Sequence, residues 1–205
     1  MTIGRATYEP GWKWSQHIAP VAGTPLCQVE HIGIVISGQA ACAMEDGRSY
    51  VMGSLETSFT SVQGTTVGSW AINLTFLFIF SAQKSTRMTN RAALVSKSTA
   101  PHYTWASVCD GWRLADTPGL SVVEERVPPG SEEVCHYHNE ARQFFYVLSG
   151  SAVLEMEGQE HGVPAGSGIE VAPGVQHKFL NRSEQDVVFL VISAPSTKKD
   201  RIDAE

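Results

Sequence analysis

Gly130-Ser-Glu-Glu-Val-Cys-His136-Tyr-His138-Asn-Glu-Ala-Arg-Gln143, read together with Pro173-Gly174-Val-Gln-His177 some thirty residues on, decides how this chain folds. In a strand, residues two apart share a face. His136 and His138 therefore present two imidazoles side by side, while Cys135 and Tyr137 turn away. Gln143 has the wrong parity to join them on one continuous strand, so Asn139-Glu-Ala-Arg142 must form a turn that resets the count. The next strand then begins near Gln143, with Gln143, Phe145 and Val147 on one face and that face directed inward. Neutral imidazole suits Fe, Ni, Cu and Zn. Three histidines in this pattern, with Gln143 beside them, make His136, His138, Gln143 and His177 the expected metal ligands.

Working outward, the C-terminal half is dense in short strands and turns. Ser121–Val127 is stopped by Pro128-Pro-Gly130, and Ser149-Gly150 separates the Gln143 strand from Ser151–Glu157. Gly158-Gln159 turns the chain again, Ile169–Val171 lies between Gly168 and Pro173, and Asp186–Ser193 is an apolar closing strand. Such spacing predicts an all-β sandwich or barrel.

At this point the spacing resembles a known family. Gly130 to Gly150 is similar to the first cupin motif, G(X)5HXH(X)4E(X)6G, at every interval, with Gln143 in place of the glutamate. Gly166 to Asn181 is similar to the second, G(X)5PXG(X)2H(X)3N, with Gly166, Gly174, His177 and Asn181 in position, Ala172 at the usual proline and Pro173 one place late. The resemblance covers roughly residues 100 to 195. It implies a double-stranded β-helix, a jelly-roll-like barrel, holding one divalent transition metal (Fe, Mn, Ni, Cu or Zn). It also implies a small-molecule substrate or ligand and a homodimer.

An internal repeat extends the pattern upstream. His31–Glu45 overlays Gln143–Glu157 without a gap, matching at Val, Ser, Gly, Ala, Met and Glu. His31 falls at the Gln143 position, but Thr24 and Leu26 occupy the two histidine positions. The expected organisation is a partial cupin-like segment over 1–56 and a Ser/Thr-rich connecting region, poorly ordered, over 57–99. A complete barrel over 100–195 and a polar tail over 196–205 follow. The interrupted repeat also suggests that residues 1–87 were joined upstream of a complete domain, with Met88 as an alternative start.

Composition bounds the function. The chain has 205 residues and a formal net charge of -6, which argues against nucleic acid as a partner. The greasiest run, Ala71–Phe80, is half of the roughly 20 residues that a membrane-spanning helix needs, so no membrane role is expected. Cysteines at 27, 42, 109 and 135 lack metal or disulfide spacing and read as reduced thiols. With no signal-like apolar segment in the first twenty residues, the expected compartment is cytoplasmic.

His17, His31, His102 and His161 read as ordinary packed or surface histidines, Phe145, Val153, Phe179 and Phe189 as barrel wall, and Glu132, Glu133 and Glu140 as rim charges. Glu140 is the rival carboxylate ligand if the turn runs differently. No catalytic residue stands out. Open coordination positions on a histidine-bound metal would permit chemistry, and the leading expectation is a dioxygenase acting on a small enolisable or phenolic substrate. A non-catalytic ligand-binding barrel and a metal-dependent sugar or keto-acid isomerase are the alternatives.

Overall fold

The computed structural model describes residues 1–27, 31–44, 47–53, 57–61, 65–69, 74–80 and 93–204. The chain divides into two units, Met1–Thr99 and Ala100–Glu205, each built of two sheets. No described helix is long and apolar enough to cross a membrane.

The first unit contains β1 (Thr2–Tyr8), one-turn helices α1 (Trp14–His17) and α2 (Ala19–Ala22), β2 (His31–Ser37), β3 (Gln39–Met44), β4 (Ser49–Gly53), β5 (Thr57–Ser61), β6 (Thr65–Ser69), β7 (Leu74–Phe80) and β8 (Ala93–Ser96). They form a five-stranded sheet, β1-β7-β2-β5-β8, and a three-stranded sheet, β4-β3-β6. Val35, Ala40, Cys42, Met44, Met52 and Phe76, drawn from both sheets, make its core.

The second unit contains β9 (His102–Trp105), β10 (Cys109–Thr117), β11 (Leu120–Val127), β12 (His136–His138), β13 (Arg142–Ser149), β14 (Ser151–Met156), β15 (Gln159–Pro164), β16 (Gly168–Val171), β17 (His177–Leu180), β18 (Val187–Ala194) and β19 (Arg201–Asp203). Its sheets are β16-β13-β18-β11-β10-β9 and β15-β14-β17-β12-β19, with all pairings antiparallel. Val127, Phe145, Val147, Val187 and Phe189 of the first sheet meet Ala152, Leu154, Val163 and Phe179 of the second. Phe179 and Phe189 stack across this core, centroids 3.9 Å apart and rings 11° from parallel. Such a pair contributes roughly 0.5–1.5 kcal/mol beyond its area burial.

Three expectations need correction. The 57–99 region is not merely a connection: its described residues carry β5 to β8, and Thr, Val and Phe at alternating positions suit pleated pairing whatever the serine content. The repeat therefore continues past residue 56. In both units the same neighbours recur: β3 lies between β4 and β6 as β14 lies between β15 and β17, and β2 between β7 and β5 as β13 between β18 and β16. The Val35/Ser37 bulge reappears at Val147/Ser149, a constant offset of 112 residues. Met44 faces Thr65 as Met156 faces His177, so threonine stands at the first unit's third histidine position. Met88 lies outside the described residues, although β8 beyond it pairs with β5 before it.

The second correction is the C-terminus. Residues 201–203 of the expected polar tail form β19, which pairs residue for residue with the histidine strand: Asp203 with His136, Ile202 with Tyr137, Arg201 with His138. The third is Val153, which is only half-buried. Ala152 and Leu154 point inward instead, because Gly150, at φ +83°, places Ser151 outside and fixes the parity.

Asn181, 1% exposed, ends β17 with a loop clamp. Its Nδ2 donates to the carbonyls of Val127 (2.8 Å) and Gln185 (2.7 Å), and its Oδ1 accepts from the Ser183 amide (2.9 Å) and hydroxyl (2.7 Å). Asn181→Ala leaves buried backbone acceptors unmet and should lower stability by about 1–3 kcal/mol in chemical denaturation.

Candidate metal centre

Strand β12 is short because its neighbours hold it from both sides: β17 places His177 directly opposite His136, and β19 covers the other edge. His136, His138 and His177 are 2%, 4% and 1% exposed. Ring centroids are 4.4 Å apart for His136–His177, 5.2 Å for His136–His138 and 5.9 Å for His138–His177. One ring nitrogen from each lies within 4.8 Å of the others, and among the described residues no further His, Cys, Asp or Glu joins the group.

Hydrogen bonding determines which nitrogen each ring can offer. His136 Nδ1 is 2.9 Å from the Val134 carbonyl oxygen and His177 Nδ1 is 2.9 Å from that of Val175, so each Nδ1–H donates to backbone. The lone pair is left on Nε2. His177 Nε2 is buried with no partner among the described residues. An unsatisfied buried imidazole acceptor is costly in a closed core, whereas a cation satisfies it.

Burial holds all three rings below the usual imidazole range. His138 and His177 are each lowered to about 4, with the charge of His136 adding to burial in both, and His136 is lowered as well. All three are therefore neutral at neutral pH, the form that binds metals. Two nitrogens each about 2.1 Å from one zinc-sized ion are at most about 4.2 Å apart. The present spacing, within 4.8 Å, lies close to that limit. The donor set thus fits a divalent transition metal.

Gln143 lies in the opposite sheet, on β13, paired with Val171 and Ser193. It is 5% exposed and shares its inward face with Phe145 and Val147, as the turn at 139–142 implied. Its Nε2 donates to Ser193 Oγ at 3.4 Å, leaving Oε1 buried without a described partner. Phe145 lies 5.9 Å from the His177 ring, so Gln143 faces the same interior. Glu140 is exposed, which removes it as a rival ligand.

Three of the other four histidines are engaged elsewhere. His31 packs against Phe78 and Phe80 at 5.4 and 5.7 Å, His17 contacts the Lys13 carbonyl, and His102 contacts Asp110 at 2.9 Å.

Comparison with known proteins identifies the family. Residues 123–193 match the cupin domain, and an uncharacterized protein of Aquifex aeolicus is 31% identical over 93 residues, covering 45% of this chain and 75% of that relative. The chain belongs to the cupin superfamily. Among solved cupin-like structures, AerE from Microcystis aeruginosa superposes with a TM-score of 0.73 at 13% identity, over 95% of this chain and 87% of that one. Bacillus subtilis oxalate decarboxylase, a protein with Mn(II) centres, superposes with a TM-score of 0.68 at 14% identity, over 97% and 70%. At these identities the likeness establishes the cupin fold of this chain and nothing about its substrate.

Two contributors escaped the sequence reading. Asp200 accepts backbone N–H bonds from Asn139 (3.1 Å), Glu140 (3.2 Å) and Ala141 (2.8 Å), tying down the turn between β12 and β13. Its Oδ2 also sits 3.9 Å from His138 Nδ1, beyond hydrogen-bond reach but close enough for its charge to favour a proton there; that Nδ1 is buried with no hydrogen-bond partner among the described residues. Glu133 is no rim charge: its side chain is 15% exposed, its Oε2 accepts from the Phe179 amide at 3.2 Å, and Arg201 lies 3.7 Å from its Oε1. Burial, the largest influence, raises its pKa.

Asp200→Asn removes the charge while keeping the shape. Metal affinity should fall by about 10- to 100-fold, the usual cost of losing an outer partner of a ligating histidine. Competition with a chromophoric chelator measures it, and an unchanged affinity would confine Asp200 to the turn.

Proposed function

We propose that residues 100–205 hold one divalent transition metal through Nε2 of His136, His138 and His177, with Gln143 as a fourth ligand or a hydrogen-bonding neighbour. We propose further that the centre oxidises a small enolisable or phenolic substrate in the manner of a dioxygenase. The observation that carries this reading is the convergence of three buried, neutral imidazoles, two of them with Nδ1 already committed to backbone. A bound metal would supply Lewis acidity and, as iron, manganese or copper, access to one-electron chemistry.

The chain's own residues define the rest of the site. Three neutral histidines leave the charge of a divalent ion uncompensated, which favours an anionic oxygen ligand such as an enolate or catecholate. Phe145, Phe179 and Phe189 form the dry floor beneath the histidines, excluding water from that side. Gln143 Oε1 is available either to the metal or to a hydroxyl of the substrate.

Oxygen-electrode measurements with protein loaded anaerobically with Fe(II), then given catechol or acetylacetone, test the reaction class. Oxygen uptake matched by substrate loss supports it. Tight metal binding without oxygen uptake across both substrates would favour a binding or isomerising barrel. Homodimerisation belongs to the same reading, because β9, β15, β16 and β19 end their sheets among the described residues and offer edges for pairing. Sedimentation showing only monomer at micromolar concentration would argue against it.

A further inference from the structure

A cavity of ≈ 380 Å³ lies where the edge strands β9 and β19 of the two sheets of the second unit both contribute walls, and none of the three histidines lines it. Its lining includes Tyr103, Trp105, Glu125, Glu132, Glu133 and Arg201. Glu125 is the residue around which it is built. β11 turns Glu125 inward with Val127, beside Phe189 in register on β18, and leaves it 8% exposed.

One partner is engineered by the backbone. Tyr103 stands opposite Gly111, which stands opposite Glu125. A Cβ on Gly111 would lie 2.3 Å from Tyr103 Cζ, so only glycine lets the phenol lie across the strand and donate to Glu125 Oε1 at 2.6 Å. Among the described residues no Lys or Arg forms an ion pair with Glu125. Arg201 is committed elsewhere: Nη1 to Glu133 (3.7 Å), Nε to Asp203 (3.0 Å) and Nη2 to the Val134 carbonyl (3.3 Å). Arg113 is set over the Tyr103 ring, 4.8 Å from its centroid. The cavity thus contains a buried acid with no ion-pair partner among the described residues and two aromatic walls, Tyr103 and Trp105.

A metal ion is a poor occupant, because these carboxylates do not form a metal-spaced cluster among the described residues. An organic cation is better matched. Aromatic walls favour ammonium groups. We propose that this cavity binds a small organic ammonium ion, with its charge against Glu125 and Glu133 and its carbon chain between the Tyr103 and Trp105 rings.

Burial and the neighbouring Glu133 push Glu125 up to about 8, while Tyr103, Arg113 and Arg201 act in the opposite direction. The acid is accordingly protonated in the free protein at neutral pH, and the ammonium ion displaces that proton to solvent as the carboxylate forms. The proposal does not depend on the metal reading.

Titration calorimetry of the full chain with ethanolamine, beside ethylene glycol and acetate, tests it. Saturable heat with ethanolamine alone, varying with the ionisation enthalpy of the buffer, is the expected result. Glu125→Gln preserves shape and an acceptor for Tyr103 but cannot become an anion, so it should weaken binding by about tenfold or more. The His136→Ala/His138→Ala protein should bind ethanolamine as the parent does, which separates this site from the metal centre. Equal affinity in Glu125→Gln, tighter binding of acetate, or no saturable heat with any probe would overturn the proposal.

Discussion

Alanine at both His136 and His138 should give a folded protein that retains no divalent metal. Loss of one outer partner of a ligating histidine costs about 10- to 100-fold in affinity, so loss of two direct ligands should exceed about a thousandfold. Folding should survive: the Phe145–Phe179–Phe189 stack and the sheet pairings of β13, β18 and β11 do not pass through these side chains. Elemental mass spectrometry on untagged protein, with circular dichroism as the folding control, reads both quantities. Near-stoichiometric metal in the parent and none in the variant is expected. Metal-free parent protein that also refuses added Fe, Mn, Ni, Cu and Zn would remove the metal centre and the oxidation reading with it.

The second large effect is in stability against pH, measured without metal. His138 and His177 have folded values of about 4 against an ordinary 6.5, and His136 is also lowered. Below pH 6.5 the unfolded chain takes up protons that the folded chain refuses, so stability falls as pH drops from about 6.5 to about 4. A drop to about 4 corresponds to about 3 kcal/mol for each ring. Glu125 runs the other way. Its folded value is about 8 against an ordinary 4.5, so between those values the folded chain holds a proton the unfolded chain releases, and stability falls as pH rises. Glu133 is raised too and adds to this limb. From about 4.5 to 6.5 the three histidines outweigh the two acids, and above 6.5 only the acids act. Metal-free protein should therefore be most stable near pH 6.5, and Glu125→Gln should flatten the alkaline side. Denaturant midpoints across pH 4–9 measure both, and a curve still rising through pH 8 in the parent would contradict the arrangement.

The histidine centre was legible because its determinants are local. Two histidines two residues apart, a four-residue turn that resets parity, and a proline-glycine turn before His177 specify faces without knowledge of the partner strands. The same locality explains what was hidden. Asp200 reaches a turn about sixty residues away and β19 is only three residues long, so no periodicity announces either. Glu125 sits in Val122-Val-Glu-Glu-Arg-Val127, where either glutamate could face inward until the register with Phe189 settles the choice. The inward orientation of Tyr103 depends on Gly111 of the neighbouring strand, which nothing near Tyr103 in the sequence announces. Residues 57–99 were misread because serine and threonine content suggests loops, whereas pairing with β2 and β3 depends on backbone and alternation.

The bulge repeated at Val35/Ser37 and Val147/Ser149 bears on ancestry. An irregularity kept at one offset, in one strand, against the equivalent partner is a scar that two independently arising barrels have no reason to share. It is what a duplicated unit would carry in both copies, in line with the gapless overlay of His31–Glu45 on Gln143–Glu157. Thr24, Leu26 and Thr65 stand where the second half has His136, His138 and His177, and among the described residues the first unit has no strand in the place of β12, so chemistry and the strand that carries it have diverged together.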